Sequence, residues 1–157
     1  MYKANNFKIT DKDNFILKID RNRDFKILQL TDLHLGFGLF SKKKDKLALN
    51  AVTKIINRTK PDLIVLTGDS IFPFFPKSGT MNNRKQAYKL MSFMDSFKIP
   101  YTQVFGNHDS EMGAFCGKEE LAGIYKKGKY SIFSKGRENL TGVGNFIINL
   151  TDDNGNV

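Results

Sequence analysis

The chain alternates short apolar runs with amphipathic stretches, and this alternation constrains its fold more than any other feature. Leu63–Leu66 is a continuous apolar run that follows Pro61 and precedes Gly68, a pattern typical of a buried strand in a parallel sheet. Four other segments fit the same scheme, namely strands over 25–30 and 101–105 and helices over 47–58 and 87–97. The order strand, helix, strand, helix, strand predicts an α/β fold with a mostly parallel central sheet and right-handed crossovers.

Residues 1–24 precede this alternation and predict an N-terminal extension. Apolar residues alternate over 14–20, which indicates a strand, and Phe7 with Ile9 indicates its hairpin partner. The motif-bearing βαβαβ portion then covers 25–157. Within it the pattern also predicts loops over 36–45 and 72–82, a short helix near 118–126 and a strand over 146–150.

Composition excludes several classes of protein. With 157 residues, 40% hydrophobic and 26% charged, the chain has the size and balance of one globular domain rather than of a disordered or fibrous protein. No apolar run approaches the roughly 20 residues of a spanning helix, and the N-terminal stretch does not resemble a secretory signal. Cys116 has no cysteine partner for a disulfide or a thiolate zinc site. We therefore expect no membrane association and a cytoplasmic location.

The formal net charge of +9 leaves nucleic acid open as a partner. Twenty of the 25 basic residues are lysine, whereas dedicated phosphate recognition favours arginine. Scattered lysines favour a solvated basic surface over a specific anionic partner, although both interpretations remain open. The same holds for Lys42, Lys43 and Lys44, which either steer an anionic substrate or, as we favour, solvate a loop.

Side chains that ligate metals follow each of three predicted strands. They are Asp32 and His34, then Asp69, then Asn107 with His108 and Asp109. The carboxyl ends of parallel strands meet at one edge of a sheet, so these side chains should converge. Asp32 and His34 are two positions apart, and in an extended segment both would leave the same face. Each motif alone is also compatible with ordinary turn chemistry, but their joint occurrence favours a metal centre.

These motifs resemble the first three signature blocks of the calcineurin-like metallophosphoesterase superfamily. The surrounding residues of 25–36, 61–69 and 142–146 are similar to its purple-acid-phosphatase-related branch. The resemblance implies that the chain is the N-terminal portion of a four-layer α/β/β/α sandwich with two metal ions at the strand ends. It further implies hydrolysis of phosphomonoesters or phosphodiesters by attack of a metal-bridging hydroxide.

The resemblance also implies a role for each motif residue. Asp32 and His34 would bind the first ion, Asp69 would bridge both ions, and Asn107 would bind the second. His108 would protonate the leaving alkoxide, with Asp109 orienting it. Oxygen and imidazole ligands suit Mn, Fe, Zn, Ni or Co without choosing among them. The oligomeric state is left open.

Two departures from the family pattern matter. Phe72 stands where purple acid phosphatases have a metal-binding tyrosine, so no purple enzyme is expected. The family also supplies three later histidines, and this chain has none after His108. A second sheet from later sequence would moreover be needed to cover the exposed sheet face. We therefore expect residues 1–157 to be a single incomplete domain with a half-built site and low activity.

Two alternatives to a phosphatase or phosphodiesterase remain. One is a nuclease of the same superfamily, which only the +9 charge supports. The other is a non-catalytic module that keeps the fold as a scaffold. The pair His108 and Asp109 argues against the scaffold, because a scaffold has no use for an acid beside a metal.

Overall fold

The structure, a computed structural model, describes residues 7–11, 13–152 and 155. Residues 1–6 and 12 of the predicted extension lie outside the described residues. The strands are β1 Phe7–Asp11, β2 Asn14–Lys18, β3 Ile27–Leu30, β4 Leu63–Leu66, β5 Tyr101–Gln103 and β6 Ile147–Thr151. The helices are α1 Lys42–Thr59, α2 Phe75–Ser78, α3 Asn83–Ser96 and α4 Lys118–Tyr125, with a 3₁₀ turn at His108–Ser110.

The central sheet has the order β3-β4-β5, and all three strands run parallel. Ile27 pairs with Leu63, and Ile64 pairs with Tyr101, so β4 lies in the middle. Its continuous apolar run fits this position, because a central strand covered on both faces has no solvent side. The predicted α/β fold with a parallel sheet is confirmed.

Three helices cover one face of this sheet. Val52 and Ile56 of α1, Leu90 and Met94 of α3, and Leu121 of α4 belong to one buried apolar cluster with β4. The helix α1 ends at Thr59 because Lys60 adopts a left-handed conformation, with its N–H bound to the carbonyl of Ile56. These contacts fix the helices and leave the carboxyl ends of the strands free for a site.

A second sheet covers the other face. It has the order β1-β2-β6, with β1 antiparallel to β2 and β2 parallel to β6. Phe15 and Leu17 of β2 pack against Leu63 of β4, and Ile148 and Leu150 of β6 join them. Our expectation that this sheet would come entirely from later sequence was wrong, because the N-terminal hairpin and β6 already supply three strands. The described residues therefore show three of the four expected layers.

The first helix begins earlier than the sequence pattern indicates. We predicted a loop over 36–45, whereas α1 starts at Lys42. Asp45 accepts hydrogen bonds from the backbone N–H groups of Gly36 and Phe37 and from the Ser41 hydroxyl. This carboxylate therefore binds the preceding loop to the first helical turn. Among the described residues, no helix combines the length and apolar character that crossing a bilayer requires.

Candidate metal centre

The loops that follow β3, β4 and β5 meet at one edge of the central sheet. His34, Asp69 and His108 each place a potential ligand atom within 4.8 Å of the others. Asp32 joins them, because its Oδ1 lies 3.5 Å from the His34 Nε2 atom. Asn107 is exposed and immediately precedes His108 in the third loop. The structure thus brings four of the predicted residues together. Asn107, the fifth, lies next to His108 on the third loop.

Asp69 has its two carboxylate oxygens directed to different neighbours. Its Oδ1 atom accepts a hydrogen bond of 2.8 Å from the backbone N–H of His108. Its Oδ2 atom lies 4.0 Å from the Nε2 atom of His34. One oxygen therefore ties the second loop to the third, while the other faces the imidazole of the first loop.

The backbone at the site is not extended, so the argument that Asp32 and His34 leave the same face of an extended segment does not apply. Both residues have positive φ angles, 53° and 47°, and Asp69 has a φ of 49°. The first two loops are joined by hydrogen bonds, from the Asp32 N–H to the Gly68 carbonyl and from the His34 N–H to the Asp69 carbonyl. These bonds hold the three ligand-bearing residues in the left-handed region, which non-glycine residues adopt at a cost.

Glycine is required where the second and third loops touch. A Cβ on Gly106 would lie 2.0 Å from Oδ1 and 2.5 Å from the backbone N of Asp69. A Cβ on Gly68 would lie 2.9 Å from the Gly106 nitrogen, and Gly68 also has a φ of 108°. The glycines that precede Asp69 and Asn107 therefore permit the close approach of the two loops.

Asp109 is only 2% exposed, and its carboxylate bonds to the backbone of the site. Its carboxylate accepts hydrogen bonds from the N–H groups of Asp69, Ser70, Ile71 and Gly106, at 2.7 to 3.0 Å. Burial raises the pKa of Asp109, and the N–H groups of Ile71, Gly106 and Asp69 oppose that rise. The resemblance implies that Asp109 orients His108; in the structure its carboxylate bonds to the backbone of both the second and the third loop.

The ring of His108 has a different acidic neighbour. Its Nδ1 atom lies 2.5 Å from the Oε2 atom of Glu111, three residues further along the chain. The ring of Phe72 packs edge-on against His108, with 4.9 Å between ring centroids, and lies 5.3 Å from the His34 ring. Sequence reasoning missed Glu111. The spacing of three residues after His108 was the available signal, because a 3₁₀ turn places such residues on one side.

Asp32 has an environment that favours its ionised form. The Thr31 hydroxyl donates a hydrogen bond of 2.5 Å to its Oδ2 atom. This bond, with a smaller contribution from His34, lowers the pKa of Asp32. The carboxylate is therefore in the state that binds cations at neutral pH. Imidazole nitrogens beside ionised carboxylates form a donor set that fits divalent transition metals.

The fold and the site together define an α/β protein with a candidate metal-ligand cluster at the carboxyl edge of a parallel sheet. Residues 25–155 match the family model of the calcineurin-like phosphoesterases, and the chain belongs to this family.

Several curated proteins are similar to this chain. Phosphatase DCR2 of Saccharomyces cerevisiae is 32% identical over 144 residues, which cover 83% of this chain and 24% of that protein. Probable inactive purple acid phosphatase 28 of Arabidopsis thaliana is 30% identical over 118 residues, 68% of this chain and 29% of that protein. The probable cyclic nucleotide phosphodiesterase of Moraxella catarrhalis is 33% identical over 105 residues, 65% of this chain and 34% of that protein. The chain spans about a quarter to a third of the length of these relatives.

Proposed function

We propose that the chain carries the N-terminal part of the dinuclear metal centre of an enzyme that hydrolyses phosphomonoesters or phosphodiesters. The observation that carries this proposal is the cluster of His34, Asp69 and His108 at the sheet edge, with ligand atoms within 4.8 Å of one another. The family membership and the phosphatase and phosphodiesterase names of two relatives support it.

In this proposal Asp32, His34, Asp69 and Asn107 hold the metal ions. Asp69 is suited to a shared position, because its neighbours lie on both the first and the third loop. Bound divalent ions would polarise phosphoryl oxygens and lower the pKa of water. The donor set accepts Mn, Fe, Zn, Ni or Co.

His108 is proposed as the acid that gives its proton to the leaving alkoxide. The contact between its Nδ1 atom and Glu111 leaves the Nε2 atom as the one that can face a substrate. Glu111 is then the positioning residue, since it fixes the ring orientation. Phe72 packs edge-on against the same ring and limits its rotation.

The rest of the centre is proposed to come from sequence outside these 157 residues. The chain has two histidines, and both lie in the cluster described above. Its relatives are about three to four times as long as the part that it matches. We therefore propose that the isolated chain binds metal weakly and hydrolyses phosphate esters slowly or not at all.

The first experiment compares this chain with a version extended at its C-terminus. Metal content is measured by elemental analysis, and hydrolysis of p-nitrophenyl phosphate is measured with and without added Mn²⁺ or Zn²⁺. We expect two ions and turnover only in the extended version. Two ions and full turnover in the 157-residue chain would contradict the half-site proposal, and the absence of metal binding in both versions would contradict the metal centre itself.

The acid role of His108 is tested by its dependence on the leaving group. In the extended protein, His108→Ala should slow the hydrolysis of an alkyl phosphate by about 10²- to 10⁴-fold, the usual contribution of a general acid. It should slow p-nitrophenyl phosphate much less, because p-nitrophenolate leaves without protonation. Equal losses on both substrates, accompanied by a lower metal content, would mean that His108 is a metal ligand instead.

A non-catalytic module is the second candidate. Two Arabidopsis thaliana relatives of this chain are named probable inactive purple acid phosphatases 28 and 29. Stoichiometric metal binding in the extended protein, without hydrolysis of any monoester or diester offered, would favour this alternative.

A further inference from the structure

We infer that a cleft whose lining includes none of the proposed metal ligands binds a small anionic molecule of the nucleoside diphosphate class. The cleft has a volume of about 640 Å³ and lies between α1, α3 and the loops around Gly38 and Gly79. This volume is in the range of sites that hold small ligands. We call it the lysine cleft. The inference does not rest on the proposed phosphoesterase function.

Four lysines line the cleft from two walls. Lys42 and Lys46 lie one helical turn apart on α1, and Lys85 and Lys89 lie one turn apart on α3. Among the described residues, none of these four ammonium groups forms an ion pair. Like charges at this spacing repel each other on an isolated helix. A polyanion between the walls would remove that repulsion from both pairs at once.

The acidic residue in the cleft does not neutralise this charge. Asp45 is the carboxylate that lines it, and it is buried. Its oxygens accept hydrogen bonds from the N–H groups of Gly36 and Phe37 and from the Ser41 hydroxyl. One negative charge against four positive charges leaves a net positive cleft, which favours a ligand with more than one phosphate group.

The cleft also has an apolar side that a phosphate alone would not use. Phe37, Leu39 and Leu49 line it, and Leu39 is 65% exposed. The Lys89 Nζ atom lies 5.3 Å from the centroid of the Phe37 ring and donates to the Phe37 carbonyl. An aromatic ring and two leucines provide a surface on which a planar base can pack. The combination of cations and apolar surface indicates a phosphorylated ring compound rather than a free anion.

Amide side chains add hydrogen-bonding groups suited to a heterocyclic base. Asn50, Asn82 and Gln86 line the cleft. Gln86 is 1% exposed, and its Nε2 atom donates to the carbonyls of Gly36 and Phe72. Its Oε1 atom has no hydrogen-bond partner within the described part of the chain. A buried acceptor without a partner costs free energy.

The test is calorimetric titration of the 157-residue chain with ADP, pyrophosphate and adenosine. EDTA is present throughout, so that phosphates cannot bind through metal ions. We expect ADP to bind with a dissociation constant in the micromolar range and both fragments to bind at least about tenfold more weakly. No heat with ADP at about 1 mM would overturn the inference. Equal affinity for pyrophosphate and ADP would overturn the assignment of a ring compound.

Two variants locate the binding. Lys85→Gln/Lys89→Gln should weaken ADP binding by about tenfold or more, because it removes the charges of one wall. The control Lys54→Gln/Lys118→Gln removes the same charge from exposed positions outside the cleft. It should leave the affinity unchanged within about twofold. Equal losses in both variants would show attraction by net charge alone and would overturn the site, as would unchanged binding in the first variant. Circular dichroism establishes that both variants are folded.

Discussion

Two aspartates of the metal motifs have opposite surroundings. Asp32 is 60% exposed at its side chain, whereas Asp109 is 2% exposed as a residue and accepts four backbone hydrogen bonds. Both could be found from the sequence as strand-end carboxylates, because the apolar runs indicated where the strands end. Their different surroundings could not, because burial depends on how two loops pack together in space. The contact of Glu111 with His108 was missed for the same reason.

Replacement of these two aspartates should lower stability to very different extents. Asp109→Ala leaves buried amides without acceptors, at about 1 to 3 kcal/mol for each unsatisfied group, so we expect a loss of roughly 3 kcal/mol or more. The matched variant Asp32→Ala should change stability much less, since its carboxylate is exposed. Urea denaturation in the presence of EDTA measures both. Similar losses in the two variants would contradict the framework role of Asp109.

The strands and helices follow from the sequence better than their pairing does. The parallel sheet β3-β4-β5 was predicted, because apolar runs alternating with helices permit few topologies. The parallel pairing of β2 with β6 was not predicted, although both strands were. Alternation within a strand indicates which face is buried but does not identify a partner about 130 residues away. The early start of α1 depends on Asp45, whose contacts to the preceding loop leave no periodic signal.

Two glycines with different surroundings predict opposite effects of substitution by alanine. Gly106→Ala places a Cβ against the Asp69 backbone, so it should lower the melting temperature and abolish metal binding by the cluster. Gly123→Ala lies within α4, where a Cβ meets no atom within 4 Å. It should raise stability by about 0.5 to 1 kcal/mol, the difference between alanine and glycine inside a helix. Thermal denaturation and metal content measure both variants.

An unchanged melting temperature in Gly106→Ala would show that the two loops are not held as closely as described. A loss of stability in Gly123→Ala would show that α4 packs against atoms on the side that is open here.

At the scale of the whole molecule, aromatic rings join the two apolar clusters. Phe146 packs on Phe15 of the second sheet and on Phe133 of the cluster between the central sheet and the helices, with 5.6 Å between centroids in each pair. Phe105 in turn contacts both Phe133 and Tyr125. These contacts connect the apolar clusters on the two sides of the central sheet, and we therefore expect the two clusters to unfold together.

Stability should fall at alkaline pH because of two tyrosines. Burial raises the pKa of Tyr101 and of Tyr125 in the folded chain, whereas tyrosine in an unfolded chain ionises near pH 10. The stabilisation is thus fully present below about pH 10 and is lost as pH rises towards the folded pKa values. The free energy of unfolding should fall by about 1.4 kcal/mol per pH unit for each tyrosine.

Denaturation at a series of pH values from about 9 to about 11.5, on either side of the ordinary tyrosine pKa of roughly 10, measures this slope. The variant Tyr101→Phe/Tyr125→Phe should flatten it, because it removes both phenols. Tyr88→Phe is the matched control, since Tyr88 is 39% exposed and should leave the slope unchanged. A slope that persists in the double variant would assign the alkaline sensitivity to other groups.

The left-handed backbone of Asp32, His34 and Asp69 bears on how such a chain responds to selection. Each non-glycine residue in that region costs on the order of 1 kcal/mol, so the candidate site lowers the stability of the folded chain. Glycine at Asp32 or His34 would relieve the cost and remove the ligand in one step. A library screened only for heat resistance should therefore enrich glycine at these positions, whereas one screened for metal retention should deplete it. The same positions would thus gain glycine in the first screen and lose it in the second, and neither screen requires an assay of the reaction.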